Sequence, residues 1–320
     1  MQRFDVLIVW SFVFIFLAAI VGLLPRETIA IPDTEASKLL ALTGYFSESV
    51  DLDQLKETFG TKIKDVRNES KIKVLIVPGH DDKNVGAVFG DIREVDLNRE
   101  LALSITEYLK SQPAFDVMLA SDARGWNQKL ETFFAEEKDA ITTFQLAHKE
   151  ATKKLEPVLD LKYNPDVIHN EATEDVVHSL YGINKFANDQ EFDIVLHVHF
   201  NDYPNRRAKK EGKYEGFAIY TPLAQFSNGR ASQRLARHIF TELQTIRPIS
   251  TLPIESAGII EDGELIAIGA YNTAKAISLL IEYGFIYEPD IADETLREQT
   301  FDRMAAATAQ GVQSFLSTKY

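Results

Sequence analysis

The chain has 320 residues, 26% of them charged and 45% hydrophobic, which is ordinary globular composition and enough for one large domain or two small ones. A formal net charge of −14 argues against a nucleic-acid partner, because a phosphate backbone needs a basic surface. There is no cysteine, so disulfides, thiolate metal sites and a cysteine nucleophile are excluded, and any metal must be held by His, Asp or Glu.

The first element in the chain is an apolar run. Residues 6 to 24, VLIVWSFVFIFLAAIVGLL, carry no charge. As a helix this run spans roughly 28 Å, about the hydrocarbon core of a bilayer. It is longer than the core of a signal peptide, typically about 7–15 residues. Residues 1–25 therefore read as an uncleaved transmembrane anchor, with a signal peptide cleaved after Ala30 as the alternative. Arg3 and Asp5 precede the run and Arg26 and Glu27 follow it, so flanking charge gives no orientation signal. Residues 26–70 are polar and read as a juxtamembrane spacer, with a short helix over DLDQLKETFGTKIKDV.

The core domain is expected over 71–320. Val74 to Val77 form a buried strand that stops at Pro78-Gly79. After a loop, EVDLNRELALSITEYLKSQ has helical periodicity, with Leu97, Leu101, Ile105 and Leu109 spaced four apart. FDVMLAS is the next strand. Residues 124 to about 178 read as a helical insertion dominated by one long helix, FFAEEKDAITTFQLAHKEATKKLEPVL. GINKFAND ends a helix, and FDIVLHVHFND is a strand with two histidines. GFAIYTP is a further strand, and ASQRLARHIFTELQTI is helical with Leu235, Ile239 and Leu243 on one stripe. AISLLIEYGFI is a buried strand and ETLREQTFDRMAAATAQGVQSFL a closing helix. Strands alternating with helices predict an α/β domain, a mixed sheet with helices on both faces. Chemistry in such sheets gathers at strand ends.

Three ligand-type residues fall at such ends. His80 closes the first strand, Glu94 opens the first helix of the core, and His199 lies near the end of a later strand. Two imidazoles and a carboxylate with one open position form a catalytic zinc set. No spacing here is diagnostic by itself, and an HExxH motif is absent. In a strand His197 and His199 face the same way, and the residues alone leave open whether either binds metal or both are hydrogen-bonded at a sheet end. His148, His169, His178 and His238 fall in polar segments and read as surface residues.

Several motifs resemble the zinc-dependent N-acetylmuramoyl-L-alanine amidases that cut bacterial peptidoglycan. VLIVPGHDDKNVGAVFGDIREVDLNRELA is similar to the family's opening motif at Pro78, Gly79, His80, Gly86, Ala87 and Glu94. INKFANDQEFDIVLHVHFND matches at Ala187, Asn188, His199 and Asn201. ISLLIEYGFIYEPD matches the segment with the catalytic glutamate, at Glu282, Gly284 and Phe285. The resemblance spans residues 72 to 318 and implies a three-layer zinc-hydrolase fold. It implies Zn2+ held by His80, Glu94 and His199, and Glu282 as the general base. His197 stands where the family usually has Ser, which implies a substrate-contacting or outer-sphere role, as for Asn201. Asp81 and Asp82 replace the usual glycines after the histidine, adding charge close to the metal.

The expected function is a membrane-anchored, extracytoplasmic amidase (secreted if the N-terminal segment is cleaved) acting on peptidoglycan, with room for a protein activator. Two alternatives stand beside it. A zinc carboxypeptidase of related fold would need an Arg to clamp a terminal carboxylate, and Arg206 and Arg207 are the nearby pair. A non-catalytic wall-binding regulator would carry a broken site.

Overall fold

The computed structural model describes residues 49–64, 71–159, 161, 172–203 and 205–318. The apolar run at 6–24 lies outside them, as does most of the spacer. No helix among the described residues is long and apolar enough to cross a membrane.

Helix α1 (Leu52–Lys64) precedes the core. Strand β1 (Ile72–Pro78) and strand β2 (Phe115–Leu119) are joined by helix α2 (Glu94–Lys110). Helices α3 (Gln128–Glu136), α4 (Lys138–Leu159) and α5 (Glu174–Asp189) then lead to strand β3 (Ile194–Asn201). Strand β4 (Ala218–Thr221), helix α6 (Gly229–Leu243) and strand β5 (Ile259–Glu261) follow. Strand β6 (Ile277–Phe285), the short α7 (Pro289–Ala292) and α8 (Glu294–Ser317) complete the described chain. The six-stranded sheet has the order β2-β1-β3-β6-β4-β5. β2, β1, β3 and β6 are parallel, and β4 runs antiparallel to β6.

Alternation along the strands divides the core between two faces. Val74, Ile76, Leu196, Val198, Leu279 and Ile281 pack with Leu101, Ile105, Leu235, Ile239 and Phe315 from α2, α6 and α8. Leu75, Val77 and Val195 face the other way, against Leu130, Ile183 and Phe186 from α3 and α5. The expected mixed sheet with helices on both faces is what the chain forms.

The one long helix expected from Phe133 to Leu159 is two. Asn127 caps α3 by accepting from the Lys129 N–H, and the chain breaks at Glu137 before α4. Phe134 and Ile141, on either side of the break, both pack on α5 at Gly182. The break falls in a stretch whose residues favour helix, so tertiary structure overrides a continuous helical propensity. His169 lies outside the described residues. His148, His178 and His238 are half-buried rather than at the surface. Burial, with only partial compensation, pushes His148 down to about 4, and its ring packs against Phe144 at 4.4 Å.

Candidate active site

Parallel strands place all their C-terminal ends at one edge, and the ligand-type side chains collect there. His80 follows β1 with a φ of 67°, a left-handed turn that swings its imidazole back over the strand end. Glu94 is the first residue of α2 and is 5% exposed. Its carboxylate at a helix N-terminus is favoured by the helix dipole. His199 lies on β3, paired in register with Glu282 of β6.

The structure brings His80, Glu94 and His199 together, with one potential ligand atom of each within 4.8 Å of the others. His80 Nε2 lies 3.1 Å from Glu94 Oε2, and His199 Nδ1 lies 3.2 Å from Glu94 Oε1. The two imidazoles meet edge to face at 5.2 Å. The backbone holds Glu94 as well: Ala87 N–H donates to Oε2 at 2.9 Å. Asn98, one helical turn on, donates to the Gly79 carbonyl at 3.0 Å and tethers α2 to the end of β1.

Two glycines make room for this cluster. A Cβ at Gly79 would stand 2.2 Å from the His199 ring. At Gly86, φ is +74° and a Cβ would lie 2.4 Å from Glu94 Oε2, so both backbone conformation and space require glycine. Two imidazoles and a carboxylate converging in such a cradle match the donor chemistry of a divalent metal with an open position.

The charges respond to one another. Burial opposes ionisation of Glu94, but His80 and His199 outweigh it and hold its carboxyl below the usual range. Burial works against the charge on His80, yet Glu94 and Asp81 leave it raised. Burial wins at His199, which is lowered. Glu282 is different. Burial first, then the charges of Glu94 and Glu255, push it well above the usual carboxylate range. Its Oε2 is enclosed and has no hydrogen-bond partner among the described residues.

The remaining expected residues sit around this centre. His197 is 1% exposed, and its Nε2 is enclosed without a hydrogen-bond partner among the described residues. Burial and then the neighbouring His199 lower it to about 3, so it is neutral at physiological pH. Asp81 is used within its own turn, where Oδ1 accepts from the Lys83 and Asn84 N–H groups at 2.8 and 2.7 Å. Asp82 takes both terminal nitrogens of Arg99 at 3.0 Å. These two acids shape the loop between β1 and α2. Asn201 donates to both oxygens of Glu255 at 2.8 and 2.9 Å. Glu255 and Tyr220, whose hydroxyl donates to it at 2.8 Å, were not singled out by the sequence. No local pattern in TLPIESAG marks Glu255, which meets Asn201 only through the fold.

Arg206 is fully engaged. It pairs with Asp202 at 2.6 and 2.8 Å and donates to the carbonyls of Val88 and Lys210, both at 2.7 Å. Its guanidinium also lies over the Tyr287 ring at 5.1 Å.

A parallel-centred α/β sheet with a His-Glu-His donor set, and a raised, unpartnered carboxylate one strand away, has the layout of a metal-dependent hydrolase. Residues 74–314 match the family model for N-acetylmuramoyl-L-alanine amidase, and the chain belongs to that family of enzymes, which cleave the bond between N-acetylmuramic acid and L-alanine in the cell wall. Among solved structures, the chain is similar to the CwlD amidase from Clostridioides difficile in complex with the GerS lipoprotein. That match has 17% identity and a TM-score of 0.49, covering 77% of this chain and 99% of that one. It is also similar to the amidase Ami1 from Mycobacterium smegmatis, with 14% identity and a TM-score of 0.49, covering 79% of this chain and 100% of that one. The family assignment rests on the 74–314 match rather than on these likenesses. No curated protein matches.

Proposed function

We propose that the enzyme hydrolyses the amide between N-acetylmuramic acid and L-alanine with a zinc ion held by His80, Glu94 and His199 and with Glu282 as the general base. Bound there, zinc would supply Lewis-acid polarisation of the scissile carbonyl and a lowered pKa for water. Glu282 takes the proton of the attacking water and returns it to the leaving L-alanine nitrogen. Burial and the charges of Glu94 and Glu255 raise its pKa above the usual carboxylate range, so it takes up a proton more readily than an ordinary carboxylate. The observation that carries this reading is the pairing of Glu282 with His199 across β6 and β3, with Oε2 of Glu282 unpartnered. His197, buried and neutral behind His199, supports the strand end without touching substrate.

The engagement of Arg206 removes one of the two arginines that a carboxypeptidase could use, leaving Arg207, which is exposed, as the other. A clamp for a terminal carboxylate needs a free guanidinium, and that of Arg206 is spent on Asp202 and backbone carbonyls. The apolar run at residues 6–24 supports a second part of the proposal, that the chain is held at the membrane with its catalytic domain on the outer side, where the wall lies.

Incubation of the full chain with peptidoglycan tests the reading. New L-alanine amino termini should appear without new reducing ends, stop on chelation and return with added zinc. Cleavage that persists after complete metal removal, or that yields reducing ends, would overturn it.

A further inference from the structure

The strand end that carries His199 holds a second polar arrangement, built around Glu255. This residue closes a single 3-10 turn, Pro253–Glu255, and is 2% exposed. Four hydrogen bonds converge on its carboxylate. Asn201 Nδ2 reaches both oxygens at 2.8 and 2.9 Å, the Tyr220 hydroxyl donates to Oε1 at 2.8 Å, and the Ser250 hydroxyl donates to Oε2 at 2.5 Å. All these donors are neutral. Burying a carboxylate on neutral donors alone is costly.

A carboxylate only accepts, whereas a glutamine would bring two N–H groups into the same ring of donors. The charge therefore forces every partner to point inward. For Asn201 this fixes the amide: its NH2 faces Glu255, and Oδ1 lies on the other arm of the planar group. Oδ1 makes no hydrogen bond with protein among the described residues. Asn201 is half-buried and lies on the same face of β3 as His199, two positions nearer the active-site end. Glu255 is also within electrostatic reach of Glu282.

We propose that Glu255 is a positioning residue for substrate: by locking the Asn201 amide it presents Oδ1 as a fixed acceptor for an amide N–H of the muropeptide. The inference rests on the amidase reading and names how that site holds its substrate. A fixed acceptor needs no reorientation on binding, which favours affinity. Freed from Glu255, the amide could flip and set its own NH2 against the substrate N–H. The muropeptide carries such N–H groups in the stem peptide and in the sugar acetamido group, and Oδ1 suits either.

The test uses the zinc-loaded full chain and an inert muramyl peptide whose scissile amide is replaced by a ketomethylene link, with Kd measured by calorimetry. Glu255→Gln and Asn201→Ala should each weaken binding by several-fold to about tenfold, the worth of one neutral hydrogen bond. The double variant should bind no more weakly than Asn201→Ala alone. Glu255→Asp, whose shorter carboxylate draws back from Asn201, takes its place with the same expected loss if Glu255→Gln fails to fold. Two further probes separate the sources: one has an ester in place of the peptide amide after L-alanine, the other an O-acetyl sugar. One of them should lose the same factor against wild type and lose nothing against Asn201→Ala. Unchanged Kd in Asn201→Ala, additive losses in the double variant, or two probes that both bind like the parent would overturn the proposal. Wild type that binds the inert probe but leaves the cleavable peptide intact would overturn the amidase reading alone, since the positioning role is still read from Kd. Wild type that does not bind the probe overturns both.

Discussion

Gly79→Ala isolates the geometry of the metal site from its chemistry, because no donor atom is removed. The new Cβ would stand 2.2 Å from Cε1, 2.3 Å from Nε2 and 2.6 Å from Nδ1 of His199. Carbon atoms in contact need about 3.5 Å, so the ring must retreat by roughly 1 Å or more. A metal site tolerates donor displacements of about 0.2 Å. The backbone imposes no cost of its own, since Gly79 is not among the residues with positive φ. Losing the alignment of one of three protein ligands should exceed the roughly 10–100-fold cost of losing an outer-sphere partner. Competition against a chelator of known zinc affinity measures the loss, and melting of the metal-free protein checks the fold. The expected result is a zinc affinity reduced by at least about 100-fold in a protein whose metal-free stability falls by no more than the roughly 1–3 kcal/mol of one overpacked methyl. Zinc affinity equal to wild type would refute the claim that close packing on Gly79 sets the His199 ligand.

The paired histidines should separate in the same assay. His199→Ala should lose zinc, whereas His197→Ala should retain most of it, at a cost of about 10–100-fold at most; equal losses would mean that both coordinate. Arg206→Ala should destabilise the fold by roughly 2–4 kcal/mol, because the Asp202 carboxylate is left without its partner. A melting temperature unchanged from wild type would contradict that. Mass spectrometry of the mature chain should find residues 6–24 still present, and an N-terminus near Ile31 would show a cleaved leader instead. In the metal-free protein, Glu282 has a folded pKa raised above its unfolded value. The stability its neutral form contributes is therefore complete below the ordinary carboxylate range and lost as pH rises through the folded pKa. Metal-free Glu282→Gln should melt like wild type in acid and above it at neutral pH; the opposite trend would mean that Glu282 is paired when folded.

Much of this site was legible because regular elements carry it. The period of two along β3 put His197 and His199 on one face, and the apolar run of β6 marked Glu282 as an acid in a buried strand. Glu94 was legible as the acid that opens a helix. What the sequence could not reveal is set by distance in space. Gly79 reads as part of a Pro-Gly turn, yet its need for glycine comes from the His199 ring. Glu255 sits in an irregular segment with no periodicity, and its partners Asn201 and Tyr220 lie 54 and 35 residues away. The break at Glu137 was equally hidden, because its neighbours favour helix and no Gly or Pro marks it. Arg206 read as half of a candidate clamp, and of its partners only Asp202, four residues earlier, is visible in sequence; the Val88 and Lys210 carbonyls belong to the backbone, which carries no sequence signal.

Glu282→Gln, assayed for zinc content, melting and turnover on a single zinc-loaded preparation, bears most directly on the mechanism. Glutamine keeps the shape of the side chain and Glu282 is not among the converging donors, so zinc content should match wild type. Turnover on peptidoglycan should fall by about 10²–10⁴-fold, the usual contribution of general acid–base catalysis. The loss should appear in kcat, and the acidic limb of the wild-type pH profile, which reports protonation of the base, should vanish. A variant with full zinc, near-normal turnover and an intact acidic limb would contradict the assignment of Glu282 as the base.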